Sequence, residues 1–594
     1  MKSNHYIFSA AALTAAALLT ASCKDFIEET PDARITIDSE SKVLALLNSA
    51  YPQSTYVRIT ELASDNADDY GGDENGYADL FAEQCYRWQD ITESDNENSA
   101  QVWQGFYAAI GAANQALAAI DEMGGATTDN LRAAQGEALL CRAYGHFMLV
   151  NIFAQHYSTQ HADTDPGIPY ITEPETTLKP DYERFSVAKV YELVEKDLLE
   201  GLEKMNDAIY EVPRYHFNAK AAYTFASRFY LFKGDAQQAV KYATLALGSD
   251  PASLLRDYSK YDDLATTDTQ YRAMQYCSSS ETANFLLCPT YSNDYFYWSA
   301  YGPGLRFNFT GEITEYETLF AAPWCSDKQI QEQYRSYFFN VTGNSFDFFP
   351  KNPYYFEETN ATAHTGYYRS IFVAFKAEEA ILNRAEAYAL QGNEAAALAD
   401  LNLWSGNFYV DSITYNTGNI DWSAIDWSTF IWGVDPYPYI YETAICHNHL
   451  QAADVTEWYQ KYQYYTPSSP TPLRHLHPEF VSLSEGSSQE QLLQTILLAR
   501  RMEFMQEGMR WFDVKRYGIK IYRREFNTSL GKMQLTDSLS YRDDRAALQI
   551  PFEVRSAGLE GNARPAVSTA NQYQSWLKGT SAAEIEQMRQ QHQQ

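Results

Sequence analysis

Residues Arg500–Gly518 have the sequence RRMEFMQEGMRWFDVKRYG, in which charged side chains recur among bulky apolar ones at the spacing of an α-helix. Charged residues three or four positions apart lie side by side on a helix and can form ion pairs. The spacing therefore predicts a helix whose charges form an ion network between packed helices, and we do not assign them to a ligand. These charged residues are Arg500, Glu503, Glu507, Arg510, Asp513 and Arg516.

Upstream of this segment, the spacing of apolar residues predicts three further helices. From Val102 onward, apolar residues recur at intervals of three, four and seven, which marks one face of an amphipathic helix that Gly124-Gly125 ends. A second helix is predicted from Leu131 to Phe153. Ser186 can cap a third, which is predicted to continue to about Met205. The pattern indicates a mostly α-helical chain.

Two segments follow the pattern of tetratricopeptide repeats, in which small residues let two antiparallel helices approach closely. In the first segment Gly234 makes the turn between the helices, and Pro251 ends the second helix. The first segment contains Tyr223, Ala226, Tyr230, Gly234, Asp235, Ala239, Ala243, Ala246 and Pro251, and the second contains Ala385, Tyr388, Gly392, Asn393, Ala397 and Leu401.

The middle of the chain lacks helical periodicity. Residues 291–309 and 404–465 are rich in Tyr, Trp, Asn, Gly and Pro, which predicts long ordered loops of the kind that carry function. Aromatic residues make up 15% of the chain, and this excess predicts surface rings that stack on flat ligands. The alternative is that tyrosines pack between the helices of a repeat scaffold.

Composition and the lack of known motifs argue against several classes of function. The net charge of -32 disfavours binding to nucleic acids, anionic lipids and heavily sulfated glycans. The sequence contains no GxSxG, HExxH or phosphate-binding loop, so we predict neither an enzyme nor a cofactor. None of the seven cysteines has CxxC spacing, and no metal site is predicted from them. Cys141 is predicted to be a small core residue, while Cys277 and Cys288 are candidates for a disulfide.

An acidic run near the N-terminus allows two interpretations. Carboxylates could bind calcium, but the run does not have the spacing of an EF-hand loop. We interpret it as a solvated acidic loop, with calcium binding as the alternative. The run consists of Asp65, Asp68, Asp69, Asp73 and Glu74.

The N-terminus has the features of an export signal. Lys2 precedes an apolar run from Ile7 to Leu19 that is too short to span a bilayer stably. The small residues Thr20, Ala21 and Ser22 stand directly before Cys23, an arrangement that resembles a bacterial lipobox, in which the cysteine is lipidated. A simple secretory signal with an incidental cysteine is the alternative. Lys24 and the acids that follow it resemble a surface-export signal of Bacteroidetes lipoproteins.

Taken together, these segments resemble the SusD/RagB family of outer-surface nutrient-binding lipoproteins over nearly the whole chain. One departure is Leu403–Gly406, where the family usually has two arginines near a glycine. The matching segments are Cys23–Ile27 with Pro31, Trp103–Tyr107 with Ile110 and Asn114, Gly136–Ala138 with Arg142–Tyr144, Gly167–Tyr170, Arg500–Gly518, Leu548–Pro551 and Asn571–Tyr573.

The resemblance implies a SusD-like, mostly α fold of tetratricopeptide-like helix pairs, with long irregular loops that carry the ligand site. It implies a signal peptide at residues 1–22, a lipidated tether at 23–40 and a SusD-like domain at 41–594, with a loop-rich insert at about 404–488. It also implies an outer-membrane, cell-surface location. The partner would be a SusC-like TonB-dependent transporter, on which the lipoprotein sits as a lid and to which it delivers an oligosaccharide.

Candidate ligand-binding residues come from two loop regions, which lie roughly where the family makes its sugar contacts, and from one further tryptophan. Sugar binding needs aromatic faces for the C–H faces of pyranose rings, and amide or guanidinium groups for the hydroxyls. Each residue could instead pack in the core or contact the transporter. The candidates are Trp88, Asn96, Asn98, Tyr291, Tyr295, Tyr297, Trp298, Tyr301, Arg306 and Trp324.

The leading hypothesis is a glycan-binding surface lipoprotein that is not an enzyme. The second is a protein of the same fold whose cargo is a peptide. A third is a surface glycoside hydrolase, which would need two carboxylates across a cleft, roughly 5 to 9.5 Å apart. A fourth is a structural lid that binds only its transporter.

Overall fold

The structure is a computed structural model that describes most of the chain. It covers residues 37–71, 80–93, 97–175, 182–261, 269–298, 306–324, 339–341, 346–348, 350–431, 436–527 and 529–564. Within these residues, no helix has the length and the apolar character needed to cross a membrane.

The described residues are mostly helical, as the sequence predicts. The helices are α1 Glu40–Leu47, α2 Val57–Ala63, α3 Leu80–Tyr86, α4 Ser99–Glu122, α5 Asp129–Phe153, α6 Val187–Lys204, α7 Ala219–Lys233, α8 Ala236–Leu247, α9 Thr269–Tyr276, α10 Asp294–Trp298, α11 Ala377–Leu390, α12 Glu394–Phe408, α13 Ala452–Lys461, α14 Ser488–Glu503, α15 Arg510–Tyr517 and α16 Phe552–Ser556.

The three upstream helices predicted from apolar spacing are confirmed as α4, α5 and α6. Each begins at a polar cap whose side-chain oxygen accepts a backbone N–H of the first turn, as Asn98 does from Gln101 at 2.8 Å. Ser186 caps α6, and Met205 follows its last residue. Consecutive helices pack against each other, with α5 between α4 and α6.

Both predicted tetratricopeptide-like pairs are confirmed. The first is α7 and α8, joined at Gly234, whose φ of +85° is the left-handed conformation that glycine adopts without strain. The second is α11 and α12, and α8 and α11 pack against each other so that the two pairs are neighbours. Helix α14 packs on α11 and brings the Arg500–Gly518 segment onto this scaffold.

The described part of the chain also contains β-strands. They are β1 Asp68–Asp69, β2 Asn284–Tyr291, β3 Phe307–Asn308, β4 Phe339–Val341, β5 Phe346–Phe348, β6 Tyr355–Asn360, β7 Thr365–Lys376, β8 Ser412–Ile420, β9 Tyr439–Ile445, β10 Ile521–Asn527 and β11 Lys532–Leu539. These strands form four small sheets. The largest has the order β11-β10-β1-β3, the second has the order β2-β7-β6, and the others are the hairpins β4-β5 and β8-β9.

The Arg500–Gly518 segment is not one helix. Helix α14 ends at Glu503 and α15 begins at Arg510, and the turn between them contains Gly508 at a φ of +74°. Glycine permits this backbone, and the amide N–H of Gly508 donates to Glu61 Oε2 at 3.0 Å. The single predicted helix is therefore wrong, because glycine and a buried carboxylate favour a turn at its centre.

The predicted ion network is confirmed, with partners from several elements. Arg500 Nε lies 2.9 Å from Asp513 Oδ2, and Arg516 Nη1 lies 2.8 Å from Glu386 Oε1 on α11. The Lys376 ammonium lies 2.7 Å from both Glu503 and Glu507. These groups are buried, so their charges are compensated inside the protein and hold α11, α14 and α15 together.

The acidic run is not a solvated loop, and this expectation is wrong for Asp65, Asp68 and Asp69. Asp68 and Asp69 are buried, the Asp65 side chain is 9% exposed, and all three carboxylates pair with arginines. Asp65 receives two hydrogen bonds from Arg510, at 2.7 and 2.9 Å, and Asp68 pairs with Arg524. Hydrophobic pattern alone could not reveal this, because the arginines are distant in the sequence. Arg510 and Arg524 come from the other end of the chain, and Arg306 comes from its middle. The remaining members of the run, Asp73 and Glu74, lie outside the described residues.

The cysteines described in the structure are buried and form no disulfide bonds with one another. Cys277 and Cys288 do not form the disulfide that the sequence allowed, and the Cys277 thiol contacts the carbonyl oxygens of Lys351 and Ile371 at 3.0 Å each. Burial raises the pKa of the Cys288 thiol to about 12. Cys141 is a core residue, as predicted.

The segment predicted as loops from residue 404 contains regular structure. Helix α12 continues to Phe408, so Trp404 belongs to the scaffold, and its indole Nε1 donates to Glu503 Oε2 at 2.8 Å. The β8-β9 hairpin and helix α13 follow. Helix α13 was missed because its ten residues carry few apolar side chains, of which Val455 and Trp458 are buried.

Candidate functional site

Trp88 and Asn98, predicted from the first loop region, are buried. Trp88 is 2% exposed, and its Nε1 donates to the Ala63 carbonyl at 2.8 Å. The guanidinium of Arg523 lies 4.2 Å from its ring centroid. Asn98 is the cap of α4, and its amide donates to the Glu93 carbonyl at 2.9 Å. In this conformation both side chains hold the fold and present little surface to a ligand.

Three of the predicted aromatics on α10 are also buried. The Tyr297 hydroxyl donates to the Phe307 carbonyl at 2.8 Å, and the Tyr295 hydroxyl lies 2.9 Å from Thr269 Oγ1. Trp298 is 3% exposed and packs edge-on against Tyr297. These rings anchor α10 in the core.

Arg306 and Trp324 occupy two further places. Arg306 is partly buried, and its guanidinium donates twice to Asp69, at 2.5 and 2.8 Å, and once to Glu525. Trp324 is fully buried and stacks on Tyr409 with centroids 5.6 Å apart. Asn96 and Tyr301, and the predicted lipidation site Cys23, lie outside the described residues.

Tyr291, at the end of β2, is the predicted candidate that lies beside an exposed aromatic surface. The neighbouring hairpin β6-β7 carries Tyr355, Phe356, Tyr367 and Tyr368, which are 37%, 48%, 55% and 36% exposed. We call this surface the aromatic shelf. It consists of Tyr291, Phe296, Tyr354, Tyr355, Phe356, Tyr367, Tyr368 and Arg369.

One face of the aromatic shelf combines rings with a guanidinium. Strand pairing places Arg369 opposite Tyr291 on one side and opposite Tyr355 on the other. Its guanidinium stacks 3.9 Å above the Tyr291 ring and donates to the Tyr291 hydroxyl at 2.7 Å, while Glu357 pairs with it. Tyr367 meets Tyr291 edge-on at 5.7 Å. This face offers both ring surface and hydrogen-bonding groups.

The opposite face of the aromatic shelf is more apolar. Tyr368 pairs with Phe356 across the strands, with ring centroids 5.3 Å apart. Phe296 from α10 lies 4.8 Å from Tyr368 and 5.0 Å from Tyr354. Because side chains alternate along a strand, both faces of this hairpin end carry aromatic rings.

Buried charges fix the base of the aromatic shelf. Arg58 on α2 donates to Asp294 at 2.9 Å and lies 3.5 Å from Glu97, and all three side chains are buried. The backbone N–H of Asn293 donates to Glu97 at 2.5 Å. These contacts fix the chain just after β2, so Tyr291 and Phe296 are held at defined positions.

A cavity of about 770 Å³ lies elsewhere, between α1, α4, the segment after Gly167 and the region of α16. Trp103, Tyr107 and Ile171 line it, together with Glu173 and Glu175. It contains none of the predicted site residues, and the Tyr107 hydroxyl there donates to the Pro169 carbonyl at 2.8 Å. We take the aromatic shelf as the candidate site, because its rings are exposed and lie beside hydrogen-bonding groups.

Metal-binding side chains do not converge in the described part of the chain. No group of three or more His, Cys, Asp or Glu residues there is arranged to hold an ion. The carboxylates near the aromatic shelf, such as Glu357 and Asp294, are engaged with arginines.

The sequence missed the most exposed rings of the site. Tyr354–Phe356 and Tyr367–Tyr368 lie outside the two loop regions from which candidates were drawn. The sequence does contain a pattern that could have revealed them. Two aromatic clusters flank a polar segment containing His364, and this arrangement is typical of a hairpin.

The helix pairs α7-α8 and α11-α12 form a helical-repeat scaffold, and the hairpin β6-β7 displays aromatic rings on its surface. The fold therefore belongs to the class of helical-repeat scaffold proteins. The sequence model of a family described as starch-binding and associating with the outer membrane matches residues 25–231, and that of the SusD family matches residues 455–593. These matches cover more than half of the chain, which belongs to the SusD/RagB family.

Solved structures of the same superfamily share the fold. A SusD superfamily protein from Bacteroides thetaiotaomicron VPI-5482 has 18% identity and a TM-score of 0.54, with 89% of this chain and 100% of that chain covered. One from Bacteroides fragilis has 16% identity and a TM-score of 0.54, with coverage of 88% and 98%. A SusD-like carbohydrate binding protein from Bacteroides vulgatus ATCC 8482 has 14% identity and a TM-score of 0.51, with coverage of 87% and 96%. No curated protein sequence matches the chain.

Proposed function

We propose that the protein is a cell-surface lipoprotein that binds a neutral glycan on the aromatic shelf and delivers it to a SusC-like TonB-dependent transporter. Family membership supports a binding role and an association with the outer membrane. The observation that carries the proposal is the face on which Tyr291, Tyr367 and Arg369 meet.

The chemistry of that face suits a sugar. Exposed rings bury the C–H faces of a pyranose, and the guanidinium and phenol groups hydrogen-bond its hydroxyls. Burial raises the pKa of Tyr355 above its usual value, so its phenol stays protonated and can donate. The net charge of -32 favours an uncharged glycan over an anionic one.

Removing an exposed ring of the aromatic shelf is expected to weaken binding without unfolding the protein. Tyr367→Ala should raise the dissociation constant for the best glycan about 10-fold, which corresponds to about 1.4 kcal/mol. Isothermal titration against a panel of plant, host and microbial glycans measures this change.

Two control variants separate the aromatic shelf from other places. Leu245→Ala removes an exposed side chain on α8 and should leave affinity unchanged. Trp88→Phe removes the buried hydrogen bond to Ala63, so it should lower the melting temperature while affinity stays the same. Equal affinity of Tyr367→Ala and the unchanged protein would refute the shelf assignment. Binding heat with peptides but with no glycan would favour the hypothesis of a peptide cargo. Release of sugar products from a glycan would favour the hypothesis of a hydrolase.

The anchoring part of the proposal assigns residues 1–22 to a signal peptide and Cys23 to lipid attachment. Cys23→Ser is expected to move the protein from the outer-membrane fraction to the soluble fraction of cells, since the lipid is the proposed anchor. Cell fractionation with mass measurement of the N-terminal peptide tests this. A conservative change at Cys446, which lies in the structured domain, should leave the protein on the membrane. An unmodified Cys23 in the unchanged protein would refute the anchor.

A further inference from the structure

The hairpin insert after α12 contains a short duplication. Residues 421–428 have the sequence DWSAIDWS, in which Asp-Trp-Ser occurs twice at an interval of five residues. In the first copy Asp421 Oδ1 accepts the backbone N–H of Ser423 at 3.0 Å. In the second, Asp426 Oδ1 accepts the backbone N–H of Ser428 at 3.0 Å. Each aspartate closes a tight turn with a tryptophan at its centre.

The duplicated turns present two tryptophan rings in nearly the same orientation. The indole planes of Trp422 and Trp427 lie 8° from parallel, with centroids 6.3 Å apart, and the side chains are 51% and 56% exposed. Because about half of each side chain is exposed, the pair offers apolar surface that a sugar ring can cover.

The chain beneath holds the two turns in place. Ile425, between the two tryptophans, is buried, and the backbone N–H of Asp421 donates to the Pro438 carbonyl at 2.7 Å on the returning chain. Further rings extend the row, since Trp427 meets Phe430 at 6.0 Å and Phe430 meets Tyr437 at 5.7 Å. The strands of this hairpin make their extensive contacts with each other. The rings thus form a row along a projecting hairpin.

The charge of this surface restricts its partner. No Lys or Arg occurs between Arg384 and Lys461, whereas the hairpin carries Asp421, Asp426 and Glu442. Hydrogen bonds from Ser423 and Ser428 hold the pKa values of Asp421 and Asp426 below their usual range, so both are ionised acceptors at neutral pH. Carboxylates suit the hydroxyls of an uncharged sugar and repel an anionic glycan.

A protein partner fits this surface less well. The buried centre of a protein interface is depleted in charged residues, because their desolvation is costly. Here a carboxylate directly precedes each tryptophan and would be covered with it. A glycan chain lying across the rings leaves the carboxylates hydrated or bonded to its hydroxyls.

We propose that Trp422 and Trp427 form a second carbohydrate-binding platform, distinct from the aromatic shelf, that takes the rings of a neutral glycan chain. This inference rests on the proposed glycan-binding function, although it concerns a different hairpin. A polymer long enough to reach both platforms binds by avidity, so it is expected to bind more tightly than a short chain that occupies one of them.

Titration of the full chain tests the platform. The probes are maltoheptaose, laminarihexaose, cellohexaose and mannohexaose, with oligogalacturonate as the anionic probe and the parent polymer of the best ligand in affinity gels. The double variant Trp422→Ala/Trp427→Ala should lower the stoichiometry from two ligands to one and weaken polymer binding at least 10-fold. Tyr441→Ala, which removes an exposed ring on the same hairpin, is the matched control and should leave both values unchanged.

The outcomes separate this inference from the proposed function. In one outcome, Tyr367→Ala loses glycan affinity, while the double tryptophan variant keeps its stoichiometry and its polymer affinity. This outcome would overturn the platform and leave the proposed function standing. In another outcome, the double tryptophan variant loses polymer affinity and one bound ligand, while Tyr367→Ala keeps its glycan affinity. This outcome would support the platform and refute the shelf assignment. Absence of heat with every neutral probe would overturn both. Weaker co-purification with the transporter, without any change in glycan binding, would also overturn the platform.

Discussion

Replacing Asp65 with asparagine is expected to lower the free energy of unfolding by about 3–5 kcal/mol, because it leaves buried arginines without their carboxylate. Asp65 accepts two hydrogen bonds from Arg510 and lies 3.6 Å from Arg501 and 3.5 Å from Arg474. Asparagine has nearly the same shape but no charge. Urea denaturation followed by tryptophan fluorescence measures the change.

The effect should depend on pH in a defined direction. Burial alone would raise the pKa of Asp65, but the guanidinium groups of Arg501, Arg510 and Arg474 hold it well below its usual range. A carboxyl whose pKa is lower in the folded state stabilises the fold above its unfolded pKa, which is about 3.9, and loses this contribution as the pH falls through its folded value. The difference in the free energy of unfolding between the unchanged protein and Asp65→Asn should therefore become smaller below about pH 4.

The matched control is Asp38→Asn, which removes a carboxylate from an exposed pair with Lys42 at 2.7 Å. Water and salt screen that pair, so no measurable change is expected. Equal stability of Asp65→Asn and the unchanged protein would contradict the view that this acidic run is structural.

Gly508→Ala should destabilise the protein by about 2–5 kcal/mol, through backbone strain and a steric clash together. Gly508 has a φ of +74°, and an added Cβ would lie 2.2 Å from Thr60 Oγ1 and 3.1 Å from Val57 Cα. Thr60 cannot move freely, because its hydroxyl donates to the Tyr56 carbonyl at 3.0 Å. A thermal melt of the purified variant measures the loss.

Gly531→Ala separates the two contributions. Gly531 also has a positive φ, +60°, but an added Cβ would meet nothing within 4 Å. Gly531→Ala should therefore lose only the stability that corresponds to backbone strain, about 1–2 kcal/mol. If both variants lose the same stability, the contact with Thr60 is not what requires glycine at position 508.

The helical scaffold was predictable because its signals are local. The apolar spacing of α4 and the cap of α6 lie within a few residues of the elements they define. The turn at Gly508 and the pairing of Asp65 with arginines were not predictable in this way. Each depends on groups about 445 positions away, such as Glu61 for Gly508 and Arg510 for Asp65.

The site was harder to predict because exposure is a tertiary property. Trp298 and Tyr367 are both aromatic residues in polar surroundings of the sequence, yet one is 3% exposed and the other 55%. Composition pointed to Tyr291, which lies beside the aromatic shelf that we propose as the site. It could not show that α10 would bury Tyr295, Tyr297 and Trp298, while the exposed rings lie on a hairpin about sixty residues later.

The pairing of Asp65 with Arg510 also governs when the chain can fold. The two residues are 445 positions apart, so the loop they close contains three quarters of the protein. Contacts between residues so far apart in sequence form late in folding. The chain must lose the entropy of closing the loop before such contacts can stabilise the fold. The arginines of α14 and α15 cannot be neutralised by Asp65 until the two ends of the chain meet. A chain that is still being synthesised can therefore form its local helix pairs before this ion network. It is expected to rely on chaperones until its last hundred residues have been made.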